Sequence, residues 1–191
     1  LAGFLWFQGW NDYCDDWTYH DRRKPGGYDS YSRLLERFIR DVRKDLSSPR
    51  LPFVIGVMGV GGPKEDSRPP MSYFRQAQTA PASLPEFQGN VAVVPTAPFW
   101  DDLLDELHRR KDAAEQKAEQ QVKAALQTHP NLTPAEREAL REKTIAESFT
   151  PEELKRLRGI SHWDCHYHGA AKIVAPIGKA FAEAMVSLLK R

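Results

Sequence analysis

The run Phe53-Val54-Ile55-Gly56-Val57-Met58 is the stretch that decides the fold. It is apolar throughout, which is typical of a parallel strand that is covered on both faces. An amphipathic helix is predicted before it, with Asp29 or Ser30 as the N-cap and Ser47-Ser48-Pro49 as the end. Its apolar residues recur at helical spacing: Tyr31, Leu34, Leu35, Phe38, Ile39, Val42 and Leu46.

Two further strands are predicted around this unit. Gly3 to Gln8 is short, apolar and rich in aromatic residues, and it precedes the helix. A strand, a helix and a parallel strand imply a right-handed crossover. After a loop over Gly59 to Pro70, the pattern repeats with a short helix from about Ser72 to Ala80 and a strand from Asn90 to Val94. The sequence therefore predicts an α/β fold around a parallel sheet.

The composition changes between Asp101 and Arg158, where charged residues and alanine dominate. A thin apolar stripe predicts one long helix: Leu104, Leu107, Ala114, Ala118, Val122 and Ala125. Thr133 and Thr150 each precede a proline and then a glutamate at the third helical position, which predicts two more helices with capping boxes. Residues 101–158 are expected to form a solvated helical insertion, or alternatively a lid over a site.

The last predicted element is a helix from about Ala170 to Leu189. It carries one apolar face: Ile173, Ile177, Phe181, Met185 and Leu188. Pro176 is expected either to kink this helix or to mark a later start.

Composition excludes several classes of function. The 191 residues suit one domain, or one domain with an appendage, and 41% are hydrophobic, which suffices for a core. The 27 basic and 26 acidic residues are mixed along the chain, so no positive electrostatic field is expected that would attract nucleic acid. No apolar run approaches the roughly 20 residues of a membrane helix. We therefore expect neither a nucleic-acid nor a membrane partner.

Two segments carry the candidate chemistry. In Trp6-Phe7-Gln8-Gly9-Trp10-Asn11-Asp12 an apolar strand breaks at a glycine and then presents an amide and a carboxylate. Near the other end lies the turn His162-Trp163-Asp164-Cys165-His166-Tyr167-His168-Gly169. Ligands of open α/β sheets bind outside the carboxyl ends of the strands, which predicts Asn11 and His166 in one crevice.

These two residues suit acyl transfer. The Asn11 amide can donate to a developing oxyanion, a role in which one donor is worth roughly 3 kcal/mol. His166 can act as general base and then as acid, with Asp164 holding its tautomer. The alternatives are that Asn11 is an ordinary turn residue and that His166 is a satisfied histidine at a helix start.

The spacing of the residues supports neither a phosphate-binding loop nor a metal site. Gly59-Val60-Gly61-Gly62 follows a strand but lacks the Gly-Lys-Ser/Thr of a phosphate loop. Cys14, His20, His162 and Cys165 match no zinc signature, so we predict no metal. The two cysteines are instead expected to be neighbours, because one follows Asn11 closely and the other precedes His166.

The site segments resemble a known family. Gly9-Trp10-Asn11-Asp12 resembles the G-x-N-D block of the SGNH (GDSL-like) hydrolases, and Leu5 to Gly9 resembles the W-[YF]-Q-G segment of sialate O-acetylesterase-like carbohydrate esterases. The likeness continues in four further segments: Phe53 to Gly62, Phe74 to Gln78, Phe149 to Leu154 and His166 to Lys172.

The resemblance implies a flavodoxin-like, three-layer parallel sheet and a serine-type carbohydrate esterase without cofactors. It implies an acetylated carbohydrate as substrate, with Gln8, Gly9, Trp10 and Asp12 in the substrate-binding segment, and a secreted or periplasmic location. His168 is expected to be a surface or substrate-contact residue.

The chain departs from the family pattern in two respects. The family's G-[DQ]-S block, which holds the nucleophile, lies before the segment at which this sequence begins, and Ser30 opens a helix and so is no substitute. The family's acid often stands three residues before the histidine, where this chain has Trp163, whereas Asp164 stands two before it.

We therefore interpret the chain as the C-terminal portion of an SGNH-type carbohydrate O-acetylesterase that is inactive alone. The alternative is a non-catalytic sugar-binding or protein-interaction α/β domain. Without the family's first strand, Phe4 to Phe7 would lie on an exposed edge and favour self-association.

Overall fold

The computed structural model describes residues 1–190. Within them the chain forms three strands: β1 (Phe4–Trp6), β2 (Phe53–Val57) and β3 (Val91–Pro95). It also forms seven α-helices: α1 (Trp10–Cys14), α2 (Asp29–Asp45), α3 (Met71–Thr79), α4 (Asp102–Thr128), α5 (Pro134–Ala146), α6 (Pro151–Leu157) and α7 (Ala171–Leu189). Short 3-10 turns connect several of these elements.

The three strands form one parallel sheet in the order β1-β2-β3. Phe4 pairs with Phe53, and Val54 pairs with Ala92. Every residue of β2 is buried, as its uninterrupted apolar sequence requires. The predicted α/β class, the three strands and the parallel pairing are confirmed.

The helices that flank the sheet follow their sequence patterns with two exceptions. The predicted cap of α2 is wrong: its N-cap is Tyr28, which makes no side-chain cap hydrogen bond, and Asp29 is already the first helical residue. A carboxylate there still favours the helix, because it lies at the positive end of the helix dipole. The helix α7 begins at Ala171 and continues through Pro176, so the later start is wrong.

The chain divides into two compact units. The sheet unit comprises residues 1–100 with 172–190, and the helical unit comprises residues 101–171. In the sheet unit, the buried Phe74 ring of α3 packs against the rings of Tyr28 and Tyr31, each with its centroid 4.8 Å away. These contacts place α3 beside α2.

The helical unit contains α4, α5 and α6. The predicted stripe of α4 is buried from Leu104 to Val122, and Ala125 at its end is half-buried. Both predicted capping boxes are present, at Thr133 and Thr150. Arg141 of α5 pairs with Glu119 of α4 at 3.0 Å. No helix within residues 1–190 is long and apolar enough to cross a membrane.

Candidate active site

The junction between β1 and α1 is built around Gly9. This glycine is buried with φ 153°, and a Cβ there would lie 2.7 Å from the Phe74 ring and 2.8 Å from Gln78 Nε2. Only glycine therefore fits. Its carbonyl accepts from Tyr13 N at 2.8 Å, which is a hydrogen bond of the first turn of α1. The glycine thus turns the chain from the strand directly into the helix that carries Asn11.

Gln78 of α3 links the carboxyl ends of two strands. Its side chain is fully buried, its Nε2 donates to the Gln8 carbonyl at 3.0 Å, and its Oε1 accepts from Met58 N at 2.9 Å. Gln8 follows β1 and Met58 follows β2. Both strand ends are therefore anchored to the same side chain.

Asn11 is exposed at the start of α1. Among residues 1–190, no group hydrogen-bonds its side-chain amide, so the amide is available to a ligand. Its neighbour Asp12 is engaged instead: Oδ2 accepts from Gln8 Nε2 at 2.6 Å and Oδ1 accepts from the Tyr19 hydroxyl at 3.0 Å. Burial, followed by the charge of Asp12, raises the pKa of Tyr19, so this hydroxyl stays a donor. Trp10 is half-buried.

In the helical unit, the histidine-rich turn closes on itself. Ser161 N and His162 N both donate to the His168 carbonyl, at 2.9 and 3.1 Å. Tyr167, His168 and Gly169 have φ values of 52°, 58° and 59°, a left-handed stretch that costs energy at the two non-glycine residues. Backbone strain of this kind clusters at functional sites.

The hydrogen-bond pattern assigns the tautomer of His166. Trp163 N donates to His162 Nδ1 at 3.0 Å, so that nitrogen is an acceptor and carries no proton. His166 Nδ1 lies 2.6 Å from the same nitrogen, and we assign it as the donor of this contact. The proton of neutral His166 is then on Nδ1, and the lone pair of Nε2 is available. His166 is exposed, so a substrate can reach it.

Asp164 has a different contact from the one expected. It is exposed, and its Oδ1 accepts from Cys165 N at 2.7 Å. The side chain paired with His166 Nδ1 is His162, which sequence reasoning considered only as a metal ligand. The spacing of four residues between the two histidines was the available signal. The roles of Asn11, His166, Asp164 and the Gln8 to Asp12 segment stay predictions.

The expectation for His168 is wrong, because this residue is fully buried. Its Nδ1 lies 3.2 Å from His108 Nδ1, and its Nε2 lies 3.7 Å from Asp105 Oδ1. Burial, assisted by His108, lowers the pKa of His168. The left-handed turn points this side chain into the helical unit, which the linear sequence does not reveal.

The remaining candidate groups are the cysteines and a metal site. Both cysteines are thiols, Cys14 exposed and Cys165 half-buried, and burial raises the pKa of Cys165. Within residues 1–190, no group of three or more His, Cys, Asp or Glu residues is arranged to hold a metal ion.

The sequence profile of one protein family matches residues 1–127, more than half of the chain: carbohydrate esterase, sialic acid-specific acetylesterase. The chain belongs to this family. The resemblance to sialate O-acetylesterase-like carbohydrate esterases is thus confirmed. Among curated proteins and among solved structures, none matches the chain significantly.

The family match includes Asn11, whereas His166 lies beyond the matched residues. Asn11 belongs to the sheet unit and His166 to the helical unit. That the two residues serve one crevice stays a prediction.

Proposed function

We propose that this chain supplies the oxyanion donor and the general base of an SGNH-type carbohydrate O-acetylesterase with a flavodoxin-like sheet. Membership of the carbohydrate esterase family supports the class of reaction. The observation that carries the proposal is the hydrogen-bonded pair of His162 and His166, because it leaves the Nε2 lone pair of His166 available to accept a proton.

Asn11 is the proposed oxyanion donor. Its side-chain amide is exposed and uncommitted, on a helix whose start is fixed by Gly9 and by the Gln78 link. Donors that are already positioned need no reorganisation when negative charge develops on the substrate, which is why they lower the barrier. The proposed substrate is an acetylated carbohydrate, held along the segment that includes Gln8, Gly9, Trp10 and Asp12.

His166 is the proposed base. Its Nε2 takes the proton of a serine hydroxyl as the serine attacks the acetyl carbonyl, and it returns the proton to the departing sugar oxygen. As imidazolium, His166 still donates through Nδ1 to His162 Nδ1, so the ring keeps its orientation through both steps. Asp164, whose Oδ1 accepts from Cys165 N at 2.7 Å, is the proposed acid partner of this histidine.

The nucleophile is the component that no described residue offers in the family's position, directly after a strand. Within residues 1–190, no serine directly follows any of the three strands. Ser30 lies in the first turn of α2, and Ser72 is buried in α3. We therefore assign the nucleophile to a segment outside residues 1–191, and we expect these residues to be inactive on their own.

Two measurements test the proposal. Residues 1–191 should hydrolyse p-nitrophenyl acetate no faster than free imidazole does, and a fluorophosphonate should label none of their serines. In the full-length gene product, His166→Ala should lower kcat about 10²–10⁴-fold, the usual contribution of a general base. A uniquely labelled serine within residues 1–191 would overturn the assignment of the nucleophile.

The tautomer is tested separately by nitrogen NMR of histidine-labelled protein at neutral pH. His166 Nε2 should show the shift of an unprotonated ring nitrogen, and Nδ1 that of a protonated one. The reverse pattern would remove the observation on which the role of His166 rests.

A further inference from the structure

A cavity of about 480 Å³ lies within the helical unit. One wall is a face of α4, and the other is the segment that leads into the histidine-rich turn. Its lining includes Asp105, Arg109, Lys111, Asp112, Glu115, Trp163 and Asp164. Asp164, and His162, which also lines the cavity, belong to the proposed acyl-transfer site, whereas the other residues named have no role in it.

Trp163 is the aromatic residue of this cavity. Trp163 is 70% exposed, although its backbone N–H and its carbonyl are both hydrogen-bonded. Its N donates to His162 Nδ1 at 3.0 Å, and its carbonyl accepts from His166 N and His168 N at 3.1 and 3.0 Å. A tryptophan whose backbone is fixed while its ring faces solvent offers a flat apolar surface at low entropic cost, and the C–H groups of a sugar ring can stack on it.

The α4 wall supplies both hydrogen-bond donors and hydrogen-bond acceptors. Arg109 pairs with Asp105 at 3.3 Å, and Lys111 pairs with Glu115 at 2.7 Å. These pairs present N–H donors and carboxylate acceptors side by side, which suits hydroxyl groups that donate and accept at once. A polar wall opposite an aromatic ring is the chemistry that recognises a carbohydrate.

The charges of the wall discriminate among carbohydrates. Four carboxylates line the cavity, from Asp105, Asp112, Glu115 and Asp164, against two cations, Arg109 and Lys111. A ligand that carries a carboxylate would be repelled by the excess negative charge, and like-charge contacts of this kind are costly. A neutral sugar is not repelled by this excess of negative charge.

We propose that this cavity is a carbohydrate subsite that binds an uncharged sugar residue, with Trp163 as the stacking platform. The choice of a carbohydrate as the class of ligand rests on the proposed function. The proposal adds a binding site in the helical unit and excludes acidic sugars such as sialic acid from that site.

Indole NMR of the 191-residue chain tests the subsite. The chain has five tryptophans, so its spectrum contains five indole N–H signals, each assignable by single Trp→Phe variants. The neutral probes are xylotriose, chitotriose and methyl β-galactoside, and the acidic probe is N-acetylneuraminic acid. At least one neutral probe should shift the Trp163 signal saturably, and N-acetylneuraminic acid at equal concentration should not.

A matched pair of variants completes the experiment. Trp163→Ala should weaken binding of the neutral probe at least fivefold by calorimetry, whereas Trp17→Ala should not, since Trp17 is 88% exposed but belongs to the sheet unit. The subsite is refuted if no neutral probe shifts Trp163, if N-acetylneuraminic acid binds there more tightly, or if Trp163→Ala binds as the unaltered chain does. Because binding is measured without ester hydrolysis, these results are independent of the serine labelling that tests the proposed function.

Discussion

Gln78 Nε2 donates to the carbonyl oxygen of Gln8 across 3.0 Å, although 70 residues separate them. The same side chain accepts from Met58 N, so one amide satisfies a backbone acceptor at the end of β1 and a backbone donor at the end of β2. A buried backbone N–H such as that of Met58 is costly when it lacks a partner. The position of the turn before Asn11 therefore depends on a residue of α3.

Replacement of Gln78 by leucine should destabilise the sheet unit by about 1–3 kcal/mol, because the buried Met58 N–H loses its partner, whereas the Gln8 carbonyl still accepts from the Tyr31 hydroxyl at 3.4 Å. Urea unfolding followed by circular dichroism measures the change. The control is Gln76→Leu, an exposed position on the same helix, which should change stability little. Equal stability of the two variants would contradict the assigned role of Gln78.

His168 provides a prediction about pH. Its pKa is lowered in the folded chain, first by burial and then by His108, with Asp105, Asp164 and Asp101 acting in the opposite direction. A histidine of the unfolded chain titrates at about pH 6.5. As the pH falls, the unfolded chain therefore binds this proton before the folded chain does. The stability that neutral His168 contributes is complete above about pH 6.5 and decreases from there down to the lower folded pKa.

The variant His168→Asn isolates this effect. Asparagine does not titrate and tolerates the left-handed backbone at this position, so the decrease in stability between about pH 7.5 and 5.5 should become smaller. His20→Asn, a change at an exposed histidine of the sheet unit, should keep the decrease. Urea unfolding at the two pH values gives the comparison, and an unchanged pH dependence in His168→Asn would show that another group is responsible.

Local signals made much of the fold predictable. The strands and α2 follow from uninterrupted or periodic apolar residues, and α5 and α6 follow from Thr-Pro pairs that precede a glutamate. The N-cap of α2 was mistaken because Asp29 is favourable both as a cap and in the first helical turn, and composition does not distinguish the two positions.

The site was predictable only in part, because its contacts are not local. The link from Gln78 to Gln8 depends on the packing of α3 against the sheet. The burial of His168 against His108 depends on a turn with three successive left-handed residues, a conformation that a sequence without a glycine at the first two positions does not suggest.

The edge of β1 supports a prediction about association. In the described sheet β1 pairs only with β2, and Leu5 of β1 is 44% exposed. An apolar strand edge without charge invites pairing with another chain, so we expect concentration-dependent self-association. Leu5→Lys should reduce it in light scattering, whereas Leu103→Lys, at a 51% exposed leucine of α4, should not. A concentration-independent monomer before any substitution would refute this expectation.

The shared crevice of Asn11 and His166 can be tested with the two native cysteines. Cys14 lies three residues after Asn11, and Cys165 directly precedes His166. If both segments face one substrate, a short bismaleimide should link the two thiols within a single chain. The raised pKa of Cys165 means that its thiolate is scarce at neutral pH, so the linkage should become faster as the pH is raised.

Mass spectrometry of the digested protein identifies the linked peptides, and dilute protein keeps links between chains rare. Cys14→Ser and Cys165→Ser should each give a single adduct and no link. The bismaleimide should link the two thiols to the same extent in the variant Asn11→Ala, because that change removes the oxyanion donor without moving the thiols. Single adducts at both cysteines of the unaltered chain, with no linked peptide, would show that Asn11 and His166 do not serve one site, and the proposed division of roles between them would fail.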